Sequence, residues 1–333
     1  LRLNYPGLGG RALKVLVSGG AGFIGSHLCA RLLRENHEVI CVDNFLTGSE
    51  RNIAALRGHP AFHVLRQDVT QPFAFDADAV FHLASPASPV GYWEHPFETI
   101  QVNSVGTMRL LEGTRACGAR FLMASTSETY GDPLVHPQVE SYNGNVNPVG
   151  PRACYDESKR LGETITAEFY RQYGTDTRIV RIFNTYGPHN QIDDGRMIPN
   201  FITQALKGLP VTIHGTGQQT RSICYVDDLV DGLIRAMFTN GTTNEVFNLG
   251  NPEEQSILEW AERIIALCNS SSELVFEPRR ADDPERRRPN IEKAQRMLGW
   301  TPCVDPDSGL KRTIDWFKAE LEHAASCVSL ISH

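Results

Sequence analysis

Several things are scarce in this 333-residue chain, and each narrows what it can do. Basic residues are not in excess: 32 Lys and Arg face 39 Asp and Glu, for a net charge of −7. No global positive field draws in nucleic acid or an anionic membrane, so an anionic substrate must be met by local arginines. There is no apolar run of membrane-spanning length and no signal-peptide pattern. A cytoplasmic location is the expectation, although the chain opens on Leu1 rather than Met, which leaves a removed targeting segment open. Eight cysteines (Cys29, Cys41, Cys117, Cys154, Cys224, Cys268, Cys303 and Cys327) show no close-paired spacing. That argues against a zinc site and against a disulfide framework, and no metal is expected. Internal repeats and low-complexity segments are also missing.

What is present is a regular alternation. Apolar runs at 13–19, 38–44, 62–69, 79–85, 120–127 and 176–184 read as strands, with helical patterns between them, notably 25–36, 97–117 and 154–173. Near-continuous apolar strands separated by helices predict an α/β fold: a doubly wound parallel sheet covered on both faces, of the Rossmann type. After Asn184 loops lengthen and strands such as 210–215 and 245–250 shorten. The reading is a first domain over 12–184 and a smaller α/β lobe over 185–320, some of whose segments return to the first. Charge clusters at 277–290, and the tail after about Glu320 reads as a helix that frays.

"VSGGAGFIG" (17–25) joins the first strand to the first helix. Gly19 permits the tight turn, Gly22 lets backbone approach a pyrophosphate, and Gly25 lets helix and strand pack closely. Asp43 closes the next strand, where a carboxylate accepts hydrogen bonds from a ribose and repels a 2′-phosphate. NAD is therefore expected over NADP. Asp68 ends the third strand and either meets the adenine edge or caps its own loop.

Tyr155 and Lys159, in "RACYDESKR", stand four apart on one helical face. An ammonium near a phenol stabilises the phenolate, which can take a proton from a sugar hydroxyl as hydride leaves the same carbon. Alone, this spacing also describes a surface pair; "STS" at 125–127, on the preceding strand end, makes it more specific.

Together these features resemble the extended short-chain dehydrogenase/reductase family that acts on nucleotide sugars, over roughly residues 13–320. "HLAS" (82–85), "VNSVGT" (102–107), "RIFNTYGP" (181–188) and "QQTRSICYVDDLVDG" (218–232) fit it too. Within the family, "STSETYGDP" (125–133), "NPVGPRACYDESKR" (147–160), "NLGNPEE" (248–254) and "DDPERRRPNI" (282–291) are similar to its UDP-glucuronic acid decarboxylase branch. The resemblance implies oxidation at sugar C4, loss of CO₂ from the resulting keto acid and re-reduction, converting UDP-glucuronate to UDP-xylose. It implies NAD contacts from Phe23, Ile24, Asn44, Val69, Leu83, Ala84, Ser85 and Asn103, besides Tyr155 and Lys159. It assigns Thr126 and Ser127 to the C4 oxygen and carboxylate, Glu128 to positioning and proton handling, and Arg287 to decarboxylation, with Arg286 and Arg288 as neighbours that leave the choice open. Arg196 and Arg221 are candidates for the diphosphate, Asn184 for the sugar or its phosphate, and the backbone of "VTIHG" (211–215), beginning at Val211, for uracil. Tyr92 and Tyr225 are pocket walls or core, and His82 is expected to be packed near the cofactor. A homodimer through helices near 97–117 and 154–173 is also implied.

The sugar 4,6-dehydratases of the family resemble one another in an Asp-Glu pair where this chain has Ser127-Glu128, which disfavours dehydration. An epimerase, a dehydratase, or a relative releasing the 4-keto pentose are the alternatives, and a silent NAD-binding sensor would be expected to lose Tyr155 or Lys159. After "NTYGP" the family usually carries arginine, and here His189 stands instead.

Overall fold

The computed structural model describes residues 11–278 and 286–331. Six strands open the chain: β1 (Lys14–Ser18), β2 (Glu38–Asp43), β3 (Phe62–Arg66), β4 (Ala79–His82), β5 (Arg120–Thr126) and β6 (Thr177–Ile182). Between them lie α1 (Phe23–Arg34), α2 (Glu50–Ile53), α3 (Pro89–Glu94), α4 (Pro96–Gln101), α5 (Thr107–Cys117) and α6 (Ala153–Tyr173). The rest comprises β7 (Thr185–Tyr186), α7 (Met197–Leu206), β8 (Val211–His214), β9 (Thr220–Ser222), β10 (Cys224–Tyr225), α8 (Val226–Phe238) and β11 (Glu245–Leu249). It ends with β12 (Glu254–Ser256), α9 (Ile257–Leu267), β13 (Leu274–Glu277), β14 (Arg286–Arg287), α10 (Glu292–Leu298) and α11 (Pro306–Ile331).

Seven strands form one sheet in the order β11-β6-β5-β4-β1-β2-β3, every pair parallel. Central strands such as β4, buried at all four residues, read as continuous apolar runs because helices cover both faces. One core lies against α1 and α8 (Leu28, Leu32, Phe81, Leu233, Phe247) and the other against α5 (Leu16, Val80, Leu110, Phe121, Met123). The winding reverses between β1 and β4. A crevice opens beyond the C-terminal ends of the strands at such a point, and that is where this fold presents ligands.

Three findings adjust the sequence reading. The helix expected over 97–117 is broken: α4 ends at Gln101, Val102–Gly106 form one π turn, and α5 begins at Thr107. The wider turn holds Asn103 fully buried, with its amide nitrogen donating to Ser158 Oγ of α6 at 3.0 Å. Strand β11, late in sequence, sits in the main sheet beside β6. Of the charged stretch 277–290, residues 279–285 lie outside the described residues, while Arg286 and Arg287 form β14 against β9. No described helix is long and apolar enough to cross a membrane.

Candidate active site

A cleft of about 1210 Å³ opens at the sheet's switch point. At one end the glycine loop lines it. Gly19 has φ +73°, and a Cβ there would press on the Ala84 backbone nitrogen at 2.7 Å, so β1 and the end of β4 can close up only on glycine. A side chain at Gly25 would overlap the Gly19 carbonyl, which keeps α1 tight on the loop. Gly22 differs: a Cβ would meet only Gly19 O, at 3.2 Å. It is also the N-cap of α1, with no side-chain cap over the first amides. An open glycine before uncapped amides is a cradle for an anionic pyrophosphate. Asp43 lines the same end and is held in place by the amides of Ala21 (2.9 Å) and Phe45 (2.8 Å). These residues fit NAD. Phe23, Ile24, Asn44, Val69, Leu83, Ala84 and Ser85 also line the cleft. Asp68 caps its loop, accepting from Thr70 N at 2.9 Å and Thr70 Oγ1 at 2.7 Å, and it also lines the cleft.

At the middle stand Tyr155 and Lys159, on the first turns of α6, facing Thr126 at the end of β5. Tyr92 stacks on Tyr155 with ring centroids 5.3 Å apart, so it is a wall of the cleft. Lys159 Nζ donates to Ala124 O at 2.8 Å and lies 5.9 Å from the Tyr155 ring centre. Burial pushes its pKa down to about 7, against the pull of Glu163. The Tyr155 phenol is not depressed: burial pushes it up to about 12, with the Thr126 hydroxyl and Arg196 pulling the other way. The net lowering expected beside Lys159 is not seen, because desolvation of the buried phenol is the largest influence on it. His82 is packed as expected. Thr107 Oγ1 donates to Asn103 O (2.7 Å), so it accepts from His82 Nε2 (3.1 Å), and Ser18 Oγ donates to Nδ1 (2.8 Å). Burial, with Lys159 adding to it, takes its pKa down to about 3, so the ring is neutral.

The far end is arginine-rich. Of the three adjacent arginines, Arg287 is the one turned inward, at 2% exposure, while Arg286 is exposed and Arg288 half-buried. Arg287 Nη1 donates to Ser127 O (2.7 Å), Ser127 Oγ (3.3 Å) and Glu128 Oε1 (2.9 Å), and Nη2 donates to Gly131 O (2.9 Å). Arg152, which sequence reasoning passed over, pairs with the other oxygen of Glu128 and also lines the cleft. Its readable signal was the i,i+4 spacing to Asp156, whose Oδ2 lies 4.0 Å from Arg152 Nε. Burial opposes the charge of Glu128, but Arg152 and Arg287 outweigh it and hold the carboxyl below its usual range. Asp156, buried and beside Glu128, is pushed up to about 7.

Arg196, Arg221 and Asn184 all line the cleft, as expected of diphosphate and sugar contacts. Two expected residues, Tyr225 and Asn103, lie outside the cleft lining, and a third is placed differently from its stretch. Val211 itself is fully buried in β8 with its N–H donated to Glu273 O (2.8 Å), while Thr212 and His214 of the same stretch 211–215 line the cleft. Tyr225 packs edge-on against Tyr186 and under Arg312, outside the cleft lining. Asn103 is held inside, its amide donating from the π turn to Ser158 of α6, and it does not line the cleft. Trp316, Glu320 and Leu321 of α11 do line it, and no motif pointed to them. His189 lines it as well, with Nδ1 2.8 Å from Ser26 Oγ and its ring 4.7 Å from that of His27. Burial and His27 push its pKa down to about 4, so it brings no charge near pH 7 where an arginine would.

Comparison with known proteins agrees with this geometry. A family model described as the NAD dependent epimerase/dehydratase family matches residues 15–250. The chain is 50% identical over 313 residues to UDP-glucuronic acid decarboxylase 1 of Danio rerio, covering 94% of this chain and 74% of that one. It is 50% identical over 310 residues to UDP-glucuronic acid decarboxylase 3 of Arabidopsis thaliana, covering 93% and 90%. Among solved structures it is similar to UDP-glucuronic acid 4-epimerase from Bacillus cereus in complex with UDP-glucuronic acid and NAD, at TM-score 0.82 and 29% identity over 92% of this chain and 99% of that one. The chain belongs to the NAD dependent epimerase/dehydratase family.

Proposed function

We propose that this protein removes the carboxyl group of UDP-glucuronate as CO₂ and yields UDP-xylose, with NAD as its cofactor. The observation that carries this reading is Arg287 bonded to Ser127 and Glu128 in the same cleft as Tyr155 and Lys159. The glycine cradle and Asp43 would hold NAD, which when bound accepts a hydride from sugar C4 and later returns it. Tyr155 takes the C4 hydroxyl proton, and Lys159 supplies positive charge to the phenolate that forms. With C4 a ketone, the carboxylate is β to a carbonyl. Its carbon–carbon bond breaks as electrons pass to the ketone oxygen, where Tyr155 and Thr126 hydroxyls can donate. Arg287 orients the carboxylate with a planar fork of donors. Glu128 and Ser127 handle the proton that C5 then gains. Ser127 offers no acid for expelling a 6-hydroxyl, which disfavours dehydration.

On this reading residues 12–184 hold NAD and residues 185–320 mainly hold the UDP-sugar, with β11 crossing back into the main sheet. The protein acts as a homodimer: Phe97 (74% exposed), Ile100, Val105, Met108 and Leu161 put apolar surface on adjoining helical segments. Seven unpaired cysteines among the described residues fit a reducing compartment, the cytoplasm.

The test mixes the NAD-loaded protein with UDP-glucuronate and follows CO₂, absorbance of NADH and the sugar's proton NMR spectrum. CO₂ with UDP-xylose and no lasting NADH is expected. Folded, NAD-binding protein that releases no CO₂ would overturn the reading.

A further inference from the structure

Glu128 occupies a position that a free carboxylate would choose. Its Oε1 accepts from Arg287 and its Oε2 from Arg152, so one carboxylate is gripped by two guanidiniums inside the cleft. Neither arginine depends on Glu128 alone. Arg287 is anchored to the Ser127 and Gly131 carbonyls at 2.7 and 2.9 Å, and Arg152 has the Asp156 carboxylate near its Nε. The Glu128 backbone is tied separately, its N–H donating to Thr126 Oγ1 at 3.2 Å, so the side chain can turn away while its chain stays. A second carboxylate arriving at this grip cannot share it with the first, because like charges at contact distance repel strongly.

We infer that Arg152 and Arg287 form a two-guanidinium receptor for the substrate's sugar carboxylate, that Glu128 fills this receptor in the free protein, and that the incoming carboxylate displaces it. The inference rests on the decarboxylase reading and deepens it. Arg152 becomes a specificity residue that touches substrate. Guanidinium forks match a carboxylate in charge and shape, and an uncharged hydroxymethyl group has no means of evicting Glu128. Displacement also changes Glu128 itself. Away from the two arginines it loses the charges that hold its carboxyl down, and burial then favours the protonated acid. The residue expected to handle a proton is thus released only when a carboxylated sugar has arrived.

The experiment measures binding by calorimetry to NAD-loaded protein in a Tyr155→Phe background, so that the sugar is not consumed. UDP-glucuronate is compared with UDP-glucose, which carries a hydroxymethyl group instead of the carboxylate. Adding Glu128→Ala should tighten UDP-glucuronate about tenfold and leave UDP-glucose within about twofold, since a competing charge-assisted pair is removed. Adding Arg152→Met should weaken UDP-glucuronate by about tenfold and again spare UDP-glucose. Where either variant fails to fold, Glu128→Gln and Arg152→Lys replace them and should move the same ratio in the same directions. A Glu128 variant that weakens UDP-glucuronate, or shifts both sugars equally, overturns the displacement. The decarboxylase reading beneath it is tested separately, by CO₂ release from NAD-loaded protein that keeps Tyr155, and absence of CO₂ there overturns that reading instead.

Discussion

Lys159 meets two opposed demands. Catalysis wants an ammonium near Tyr155, while full burial makes that charge expensive and takes its pKa from 10.5 to about 7. The consequence for stability has a definite sign. Between about pH 7 and 10.5 the unfolded chain binds this proton and the folded one does not, so the cost is complete below pH 7 and fades as pH rises to 10.5. At pH 7 it is on the order of 4 kcal/mol, offset in a Lys159→Met variant by about 1–3 kcal/mol for the Ala124 carbonyl left without a donor. Lys159→Met should therefore be inactive yet melt higher than the parent at pH 7, with the gap closing toward pH 10. Thermal melts across that range check it, and a gap that is flat or widens with pH contradicts it. The residue scale is also where the sequence was hardest to read. Val211 and Tyr225 sit in short strands whose outward and inward faces are decided by what packs on them, and nothing local reveals which side meets the cleft. Arg287 was legible as one of three, and only its burial in the folded chain singles it out, since Arg286 shares the same strand pairing.

Among the elements, α6 matters most, since it carries Tyr155 and Lys159 at its start. One turn further on, Gly162 lies where a Cβ would strike the Met123 thioether end and come 2.8 Å from the Asn103 carbonyl oxygen. The thioether can swing aside; the backbone of the π turn cannot. Gly162→Ala should push α6 off the sheet and cost about 1–3 kcal/mol of stability, less about 1 kcal/mol regained in helix propensity. Its kcat should fall while NAD affinity, set by the loop before α1, stays close to the parent's. Single-turnover kinetics beside an NAD titration separate the two; a kcat equal to the parent's would detach the helix seat from the chemistry. Strands β1, β2, β4, β5 and β6 were legible as largely buried apolar runs bounded by polar turns, and edge strand β3, buried only at Phe62, by its place in the alternation. The π turn was not, because apolar spacing continues through 97–117 and one inserted residue leaves no mark in composition.

For the whole molecule, the proposed dimer rests on the exposed apolar side chains of α4, the π turn, α5 and α6. Phe97→Glu combined with Val105→Glu should convert a dimer to a monomer, halving the mass seen by light scattering, with NAD binding intact. A wild-type monomer would refute the dimer. At this scale the architecture was largely readable, since the glycine loop, Asp43 and the alternation of elements all point to one topology. The contribution of α11 was not, because it reaches the cleft from the far end of the chain with no motif of its own.

The small sheet outside the main one sets Arg287 directly opposite Arg221 on the neighbouring strand. On the proposed roles, one of these holds the sugar's acid and the other its diphosphate. Two residues 66 positions apart in sequence are thus rooted side by side: backbone pairing fixes where their side chains start. On those proposed roles, the strand pair would tie recognition of the acid to recognition of the diphosphate, so that losing either group weakens the hold on both ends of the sugar nucleotide.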